Sequence, residues 1–367
     1  MKIKKLKIKT QSQNYHIIIG SDLVSKLSQI IKNNLIKFNK CLIVVDKNIP
    51  KKIIKKLNNS FKKEKIYLHF INANEKNKNY KTTNIILDIL LNKNFSRSDC
   101  LISVGGGITG DIVGFAASLF KRGIQFVNVP TTLLSQVDSS IGGKTGINTI
   151  YGKNLIGTFY QPKLVISDSI FLNSLPQREI ICGYGEILKH SLISSKKFFN
   201  FLDKNIFNIL NLKSPFLQKA IYESCKIKKL VVEKDEKEKN FRKILNFGHT
   251  FAHAYEASLN YSKKLNHGEA VLLGISTAID FSHKKNFLKN KDYKKINYHI
   301  HNSKLPFDLI NFLQKKHLNK ILNFMEKDKK NKSKKINLIL LKNIGQAILN
   351  KEYDKNIIKS FLKKKFN

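Results

Sequence analysis

Four side chains in the second half of the sequence have the types and spacing of a metal site. Glu186 lies three residues before Lys189, so both would lie on one face of a helix. His249 and His253 are four residues apart, and His267 follows in the same stretch. A carboxylate with two imidazoles forms an open zinc site that leaves room for a substrate. The spacing therefore indicates Glu186, His249, His253 and His267 as candidate ligands without ranking them; the alternative is that each histidine is purely structural.

A glycine-rich segment in the first half could bind a nucleotide. Gly105, Gly107 and Gly110 follow a predicted strand and open a predicted helix, the G-x-G-x-x-G arrangement that lets backbone amides approach a pyrophosphate. A plain glycine-rich turn is the alternative. The acidic residue that the dinucleotide motif expects about 20 residues later is missing. Asp46 ends an earlier strand, with Asn48 two residues on, and is as compatible with a ribose contact as with a turn or helix cap.

Small, hydroxyl-bearing and glycine residues are concentrated again at residues 130–146, shortly before Lys153. Such stretches usually form turns and caps. Together with Lys144 and Lys153 they would also suit an anionic ligand. A Walker ATPase loop is excluded, because Ser139 occupies the first glycine position of G-x-x-x-x-G-K-[ST].

Composition and charge bound the class of protein. A chain of 367 residues suggests about two domains, and 42% hydrophobic residues exclude global disorder. The net charge of +41 could indicate a nucleic-acid partner. However, only four of the 67 basic residues are arginine, and the lysines are spread through most of the chain among many Asn and Ile residues. We interpret the charge as compositional bias and expect no nucleic-acid partner.

The cysteines and the apolar runs indicate a compartment. The four cysteines are far apart and form no C-x-x-C pair, so neither a disulfide scaffold nor a zinc ribbon is expected. The chain has no uncharged apolar run of the roughly 18 residues that a membrane helix needs. The N-terminus lacks the apolar core of a secretory signal. We expect a cytoplasmic protein without a membrane partner.

Two kinds of segment follow one another along the chain. Strand-like runs at 41–45, 101–104, 124–129 and 164–167 alternate with helical patterns at 82–91 and 111–120. This alternation favours a parallel sheet with helices on its faces. Helical patterns then dominate, at 177–194, 215–232, 250–258 and 269–283, with one short strand at 338–341. The sequence predicts a Rossmann-like α/β nucleotide-binding domain at residues 1–172 and a mostly α-helical domain at residues 173–367.

Several stretches taken together resemble the 3-dehydroquinate synthase family, which belongs to the sugar-phosphate cyclase group. In the family's order they are SVGGGITGDIVGFAAS, FKRGIQFVNVPTTLLSQVDSSIGGKTGIN, GKNLIGTFYQP, GEILKH, LNFGHTFAHAYE and HGEAV. The resemblance implies an NAD-binding domain, a helical metal- and substrate-binding domain, an active site in the cleft between them, and a homodimer. It also implies NAD and a divalent metal, zinc or cobalt.

The reaction implied by the resemblance belongs to the shikimate pathway, which leads to chorismate and the aromatic amino acids. It converts 3-deoxy-D-arabino-heptulosonate 7-phosphate into 3-dehydroquinate and phosphate. A substrate alcohol is oxidised by NAD+, phosphate is eliminated, the ketone is reduced again, and the opened ring closes by an aldol step. NAD+ emerges unchanged, so the enzyme is a phosphorus–oxygen lyase without net redox.

The resemblance also implies roles for single residues. The metal ligands are Glu186, His249 and His267, which moves His253 to the substrate. The implied NAD contacts are Asp46, Asn48, Lys81, Gly107, Ile108, Thr109, Gly110, Asp111, Thr131, Thr132, Lys144, Lys153, Phe171, Leu172, Asn173 and Ser174. The implied phosphate contacts are Lys144, Asn154, Asn246, His253, a lysine of the Asp328-Lys329-Lys330 run, and Arg122 from a partner subunit. The implied carboxylate contacts are Lys228 and Arg242, and the implied hydroxyl contacts are Asp138 and Lys189.

One motif departs from the family's pattern. Matched to G-E-x-x-K, the run from Asn77 to Lys81 has Lys78 in place of the glutamate, and Glu75 lies three residues early. The alternatives are another sugar-phosphate cyclase, a metal- and NAD-dependent alcohol or glycerol dehydrogenase, and a basic nucleic-acid-binding protein. Lys228 and Arg242 favour a substrate that bears a carboxylate.

Overall fold

A computed structural model describes residues 3–61, 64–303, 305, 308–326 and 335–366. The chain divides into two compact units. The first comprises Met1–Pro176 and Ile221–Lys237, and the second comprises Gln177–Ala220 and Glu238–Asn367. The first unit thus extends past the expected boundary at residue 172 and takes in a helical segment that the prediction of 173–367 assigned to the other domain.

A seven-stranded sheet forms the centre of the first unit, in the order β1-β2-β9-β6-β5-β3-β4. Every pairing in it is parallel except that of β1 with β2. The strands are β1 (Lys4–Lys9), β2 (Asn14–Gly20), β3 (Lys40–Asp46), β4 (Lys65–Ile71), β5 (Cys100–Gly105), β6 (Gln125–Pro130) and β9 (Leu164–Asp168). A separate antiparallel hairpin consists of β7 (Lys144–Thr149) and β8 (Gly152–Phe159).

Helices cover the sheet, as the alternating pattern predicts. They are α1 (Leu27–Asn33), α2 (Lys51–Ser60), α3 (Tyr80–Asn92) and α4 (Gly107–Leu119). The central strands are apolar without interruption because both faces are buried. Ile43 and Val45 of β3 belong to one hydrophobic core, whereas Leu42 and Val44 belong to a second core on the opposite face. The parallel α/β architecture is confirmed.

The second unit is mostly helical. Its helices are α5 (Gln177–Ser194), α6 (Lys196–Leu210), α8 (His249–Ser258), α9 (His267–Lys284), α10 (Asn290–Asn302), α11 (Leu318–Glu326) and α12 (Lys355–Lys365). The helix α7 (Phe216–Lys234) begins in this unit and continues in the first. The late strand predicted at 338–341 is one half of a hairpin, formed by β10 (Ile336–Asn343) and β11 (Gln346–Tyr353).

The segment 221–237 belongs to the first unit because its polar side chains are bonded there. Glu236 is 7% exposed and accepts hydrogen bonds from the Ser12 amide at 3.1 Å and from Gln161 Nε2 at 2.8 Å. Lys228 donates to Asp138. These contacts join residues more than 70 positions apart, so local sequence patterns could not reveal them. Among the described residues, no helix is long and apolar enough to cross a membrane.

Candidate active site

The glycine-rich turn of the first unit connects β5 to α4, as the sequence predicts. Gly106 is the N-cap of α4, so the amides of the first helical turn point towards whatever lies beyond the strand end. Gly105 is required by packing, because a Cβ there would lie 2.3 Å from Thr109 Oγ1. At Gly107 a Cβ would lie 2.9 Å from Ser139 Oγ. The turn therefore keeps its backbone accessible at the edge where an anionic ligand would bind.

A small cavity joins this turn to several of the predicted residues. Gly107, Gly110, Asp111, Ser139 and Lys144 are among its lining residues. Thr132 lies against the same turn, because a Cβ on Gly106 would lie 3.2 Å from Thr132 Cγ2. The structure thus brings the glycine motif together with the hydroxyl-rich segment that follows β6.

Asp46 lies at the same sheet edge, since β3 and β5 run parallel and Val45 is paired with Val104. Its Oδ1 accepts hydrogen bonds from Asn48 N at 3.0 Å and from Asn48 Nδ2 at 3.1 Å. Burial raises the pKa of Asp46, and the two Asn48 bonds oppose that effect. Asp46 therefore forms a turn with Asn48, which is one of its two predicted roles. Its position at the end of β3 is also compatible with the other role, a contact to a ribose.

Lys78, three residues before Lys81, is buried in a polar environment of the first unit. Its Nζ lies 2.5 Å from Asp111 Oδ2 and 2.6 Å from Asn154 Oδ1, and its side chain is only 6% exposed. Burial raises the pKa of Asp111, and the Lys78 ammonium opposes that rise. Lys81 is exposed on α3. Glu75 and Lys78 also have the E-x-x-K spacing of the family motif, an alignment that the sequence analysis did not use.

Glu75 ties the turn before α3 to the β7–β8 hairpin. Its Oε2 accepts a hydrogen bond from Asn148 Nδ2 at 2.7 Å, and its Oε1 lies 3.6 Å from Lys153 Nζ. Asn148 Oδ1 in turn accepts from the Asn154 amide at 3.0 Å, which supports the left-handed backbone of Asn154 at φ 54°. The hairpin and the turn thus place Lys153, Asn154 and Asp111 in one polar network around Lys78.

Other residues predicted for NAD lie on the same unit in different environments. Phe171 and Leu172 are buried in a short 3₁₀ helix. Asn173 and Ser174 are exposed. The Thr131 amide donates to Gly105 O at 2.9 Å, which fixes the start of the hydroxyl-rich segment.

Asp138 and Lys228 form an ion pair in the first unit. Lys228 Nζ lies 2.5 Å from Asp138 Oδ1 and 2.5 Å from Asp138 O, and Lys228 is 5% exposed.

Arg122 is exposed on the turn after α4, where Lys121 and Arg122 both have a left-handed backbone. Lys144 begins β7 and is exposed.

In the second unit, Glu186, His249 and His267 come together. One potential ligand atom from each lies within 4.8 Å of the others. His249 Nε2 is 3.6 Å from Glu186 Oε1, and two ligands of one tetrahedral zinc ion lie about 3.3 Å apart. Glu186 is 1% exposed and also pairs with Lys189, whereas the His267 side chain is 42% exposed. The donor set suits a divalent cation of the zinc type, with one side open.

Glycines bring the three donors within reach of one another. Gly268, next to His267, packs against α5, where a Cβ would lie 2.3 Å from Cys182 Cα. Gly248, next to His249, has φ +78° and lies against α9, where a Cβ on Gly274 would lie 2.2 Å from Gly248 O. These contacts explain why glycine flanks both histidines.

An arginine clamp fixes the start of α9. Arg178 Nε and Nη2 each lie 2.6 Å from a carboxylate oxygen of Glu269, in a bidentate pair. Glu269 also completes a capping box with Asn266. His267 stands between Asn266 and Glu269, so the clamp holds its backbone in place.

Electrostatics prepare His249 for a cation. Burial lowers its pKa well below the ordinary value, and the positive charges of Lys189, His253 and His267 lower it further. A neutral imidazole is the form that ligates metals. Its Nδ1 faces Phe247 O at 3.3 Å, which leaves Nε2 on the side of Glu186.

Three further predicted residues of this unit, His253, Arg242 and Asn246, have different surroundings. The His253 ring centroid lies 5.3 Å from that of His249 and 6.1 Å from that of His267. Arg242 is 2% exposed, and Asn246 Nδ2 donates to Glu238 Oε1 at 2.9 Å. The lysine expected from the Asp328-Lys329-Lys330 run lies outside the described residues.

Solved structures show which proteins share this fold. Solved structures of sugar-phosphate cyclases share the fold over nearly the whole chain. A 2-deoxy-scyllo-inosose synthase in complex with carbaglucose-6-phosphate, NAD+ and Co2+ is 24% identical, with a TM-score of 0.87 and coverage of 98% of this chain and 100% of that one. A 2-epi-5-epi-valiolone synthase from Streptomyces hygroscopicus with NAD+ and Zn2+ bound is 22% identical, with a TM-score of 0.86 and coverage of 97% and 98%.

Sequence comparison narrows the class to one family. Family models for the N-terminal and C-terminal parts of 3-dehydroquinate synthase match residues 68–182 and 183–331. The 3-dehydroquinate synthase of Pelagibacter ubique is 60% identical over 364 residues, which covers 99% of both chains. The chain belongs to the 3-dehydroquinate synthase family, and it is an enzyme. The resemblance found in the sequence motifs is confirmed.

Proposed function

We propose that this enzyme converts 3-deoxy-D-arabino-heptulosonate 7-phosphate into 3-dehydroquinate and phosphate, with NAD+ as a recycled oxidant and a divalent cation. The observation that carries the proposal is the group formed by Glu186, His249 and His267 in a member of this family. The sugar-phosphate cyclase structures with NAD+ and Co2+ or Zn2+ bound support both cofactors.

Glu186, His249 and His267 would hold the cation in the helical unit. When bound, a divalent cation supplies Lewis acidity that makes a substrate hydroxyl easier to deprotonate. Glu186 contributes the negative charge, and the two imidazoles contribute neutral donors. Lys189 beside Glu186 would donate a hydrogen bond to a substrate hydroxyl, and the Asp138 carboxylate would accept one from a substrate hydroxyl.

The sheet unit would hold NAD+. The amides of the turn from Gly107 to Asp111 would bind the pyrophosphate at the N-terminus of α4. Asp46 and Asn48 would contact a ribose at the adjacent strand end. The other proposed NAD contacts are Thr131, Thr132, Lys144, Lys153 and the segment Phe171–Ser174. We add Lys78 to this set in preference to Lys81, because Lys78 is buried against Asp111 and Lys81 is exposed.

A positive cradle would bind the substrate's anionic groups. Lys144, Asn154, Asn246 and His253 would contact the phosphate, and Lys228 and Arg242 would contact the carboxylate. Electrostatic stabilisation of this kind lets the leaving phosphate accept the proton without a strong protein base. The presence of both Lys228 and Arg242 favours this substrate over the sugar phosphates of other cyclases. Activity as another sugar-phosphate cyclase is the second candidate function, which the structural neighbours support.

We further propose that the enzyme is a cytoplasmic homodimer. Arg122 is exposed on its turn, so a second copy of the chain could use it as a phosphate contact. Ile150 and Tyr151 at the tip of the β7–β8 hairpin are 92% and 85% exposed, as expected of side chains that a partner covers. All four cysteines are free thiols, which suits a reducing compartment.

The proposal is tested by incubating the protein with the substrate, zinc and NAD+ in an amount far below the substrate. Phosphate release is followed together with NADH absorbance. We expect many phosphate molecules per NAD+ and no accumulated NADH. Stoichiometric NADH would indicate a dehydrogenase, and turnover of another sugar phosphate in preference would indicate a different cyclase.

A further inference from the structure

Glu256 is an acidic residue of α8 beside the cation cluster to which neither the motifs nor the resemblance gives a role. It lies seven residues after His249 and three after His253, so all three share one face of the helix. The Glu256 side chain is 8% exposed. Its Oε2 lies 3.0 Å from His267 Nδ1, which is hydrogen-bonding distance.

The contact would determine which nitrogen of His267 is available to a bound cation. A carboxylate that approaches Nδ1 favours a proton on that nitrogen, which leaves the lone pair on Nε2. A buried carboxylate is costly unless it is paired, so a proton on His267 Nδ1 would stabilise Glu256. The arginine clamp holds the backbone of His267, whereas Glu256 contacts its half-exposed ring.

We propose that Glu256 is a positioning residue for His267. Its carboxylate accepts the Nδ1 proton, selects the tautomer with a lone pair on Nε2, and orients the ring towards Glu186 and His249. The inference rests on the proposed cation site. Carboxylates that orient ligating histidines change metal affinity by 10- to 100-fold in other proteins.

The test compares Glu256→Ala and Glu256→Gln with a matched control. In the same unit, Asp203 Oδ1 lies 3.0 Å from Nδ1 of the buried His299, a contact of the same kind outside the cation cluster. Asp203→Asn therefore removes the charge from a comparable carboxylate–imidazole contact, as Glu256→Gln does beside His267. Zinc affinity is measured by competition with a chromogenic chelator, and the coordination geometry is followed by the visible absorption of the cobalt-loaded protein.

We expect Glu256→Ala to weaken zinc binding about 10- to 100-fold and to shift the cobalt spectrum. Glu256→Gln keeps an acceptor without the charge, so its effect should be smaller and in the same direction. Asp203→Asn should change zinc affinity less than about twofold. Circular dichroism of the metal-free proteins establishes that the variants are folded, and Glu256→Gln serves if Glu256→Ala is not.

Two results would overturn the inference. The first is a folded Glu256 variant with unchanged zinc affinity and cobalt spectrum. The second is a weaker, additional equivalent of zinc that only Glu256→Ala removes. His253, Glu256 and His267 also offer ligand atoms within 4.8 Å of one another. This result would mean that Glu256 is itself a metal ligand. A different result would overturn the proposed cation site itself: the wild-type chain binds zinc, and Glu186→Gln binds it with the same affinity.

Discussion

In the sheet unit the polar groups of the candidate site come from turns and strand ends, whereas in the helical unit they come from a helix interior and two helix N-termini. The glycine turn offers backbone amides, and Lys78 reaches Asp111 from a turn before α3. Glu186 lies inside α5, and His249 and His267 begin α8 and α9. Side chains on packed helices have their positions set by helix contacts, while those on turns depend on local hydrogen bonds.

The difference predicts how each region responds to substitution. In the helical unit, removing one donor leaves the others without a complete site, so the loss should be nearly total. In the sheet unit, many weaker contacts share the binding of one ligand, so single losses should be partial.

Substitution of a cation ligand should have the largest effect. Glu186→Gln and His267→Ala each remove one of three protein donors, and we expect phosphate release to fall at least about 1,000-fold because the cation is no longer held. Metal content of the purified variants checks the cause. Full activity of either variant at saturating substrate without added metal would contradict the assignment.

Loss of Lys78 should weaken NAD+ binding by an intermediate amount. Lys78→Met removes the ammonium beside Asp111 and Asn154, and we expect about 10-fold to 100-fold more NAD+ at half-maximal activity, equivalent to about 1.4–2.7 kcal/mol. Lys81→Met, at an exposed position of α3, is the matched control and should change this concentration less than about twofold. A larger effect at Lys81 would mean that Lys81, as the family resemblance implies, is the NAD+ contact.

Helix packing in the second unit should tolerate an added methyl group poorly at one glycine. A Cβ at Gly268 would lie 2.3 Å from Cys182 Cα, so we expect Gly268→Ala to lower the free energy of unfolding by about 1–3 kcal/mol and to weaken cation binding. At Gly185 the nearest atom is Leu272 Cγ at 3.0 Å, a side-chain atom that can move. Denaturant unfolding should therefore rank Gly185→Ala as the milder change; the reverse order would show that α5 and α9 are not held by this contact.

Loss of the Glu236 carboxylate should have the smallest effect, and one that depends on pH. Burial raises the pKa of Glu236, but hydrogen bonds from Ser12 and Gln161 outweigh it and keep the pKa below the ordinary 4.5. A carboxyl with a lowered pKa in the folded state stabilises the protein above pH 4.5, and this stabilisation is lost as the pH falls through the folded pKa.

We therefore expect Glu236→Gln to lower the free energy of unfolding by about 1 kcal/mol near neutral pH. The difference from wild type should disappear in acid, below the folded pKa. Unfolding curves at several pH values check this. A constant difference at every pH would mean that the charge of Glu236 does not contribute.

Local patterns in the sequence predict much of this molecule. The apolar run of β3 and the helical spacing of α5 are strong enough to identify both elements. The glycines beside His249 and His267 indicate close helix packing. The E-x-x-K motif can be aligned in two ways: from Glu75, which selects Lys78, or from position 78, which selects Lys81. Only the fold shows that Lys78 is the buried lysine of the two.

The rest depends on contacts between residues distant in sequence. The segment 221–237 has an ordinary helical pattern, and only its bonds to Ser12, Asp138 and Gln161 assign it to the sheet unit. Glu256 has helical spacing from His249, but its contact with His267 depends on how α8 packs against α9. Such pairings are decided by tertiary packing, which a single sequence does not display.

The central claim is that Glu186, His249 and His267 together hold one cation that turnover requires. The most direct test removes all metal from the protein and titrates zinc back, while bound zinc per chain and phosphate release are measured together. We predict that activity rises in proportion to zinc and reaches its maximum at one equivalent per chain, and that His249→Ala binds none at the same concentrations. Full activity in the metal-free protein, or tight binding of one equivalent by His249→Ala, would contradict the account.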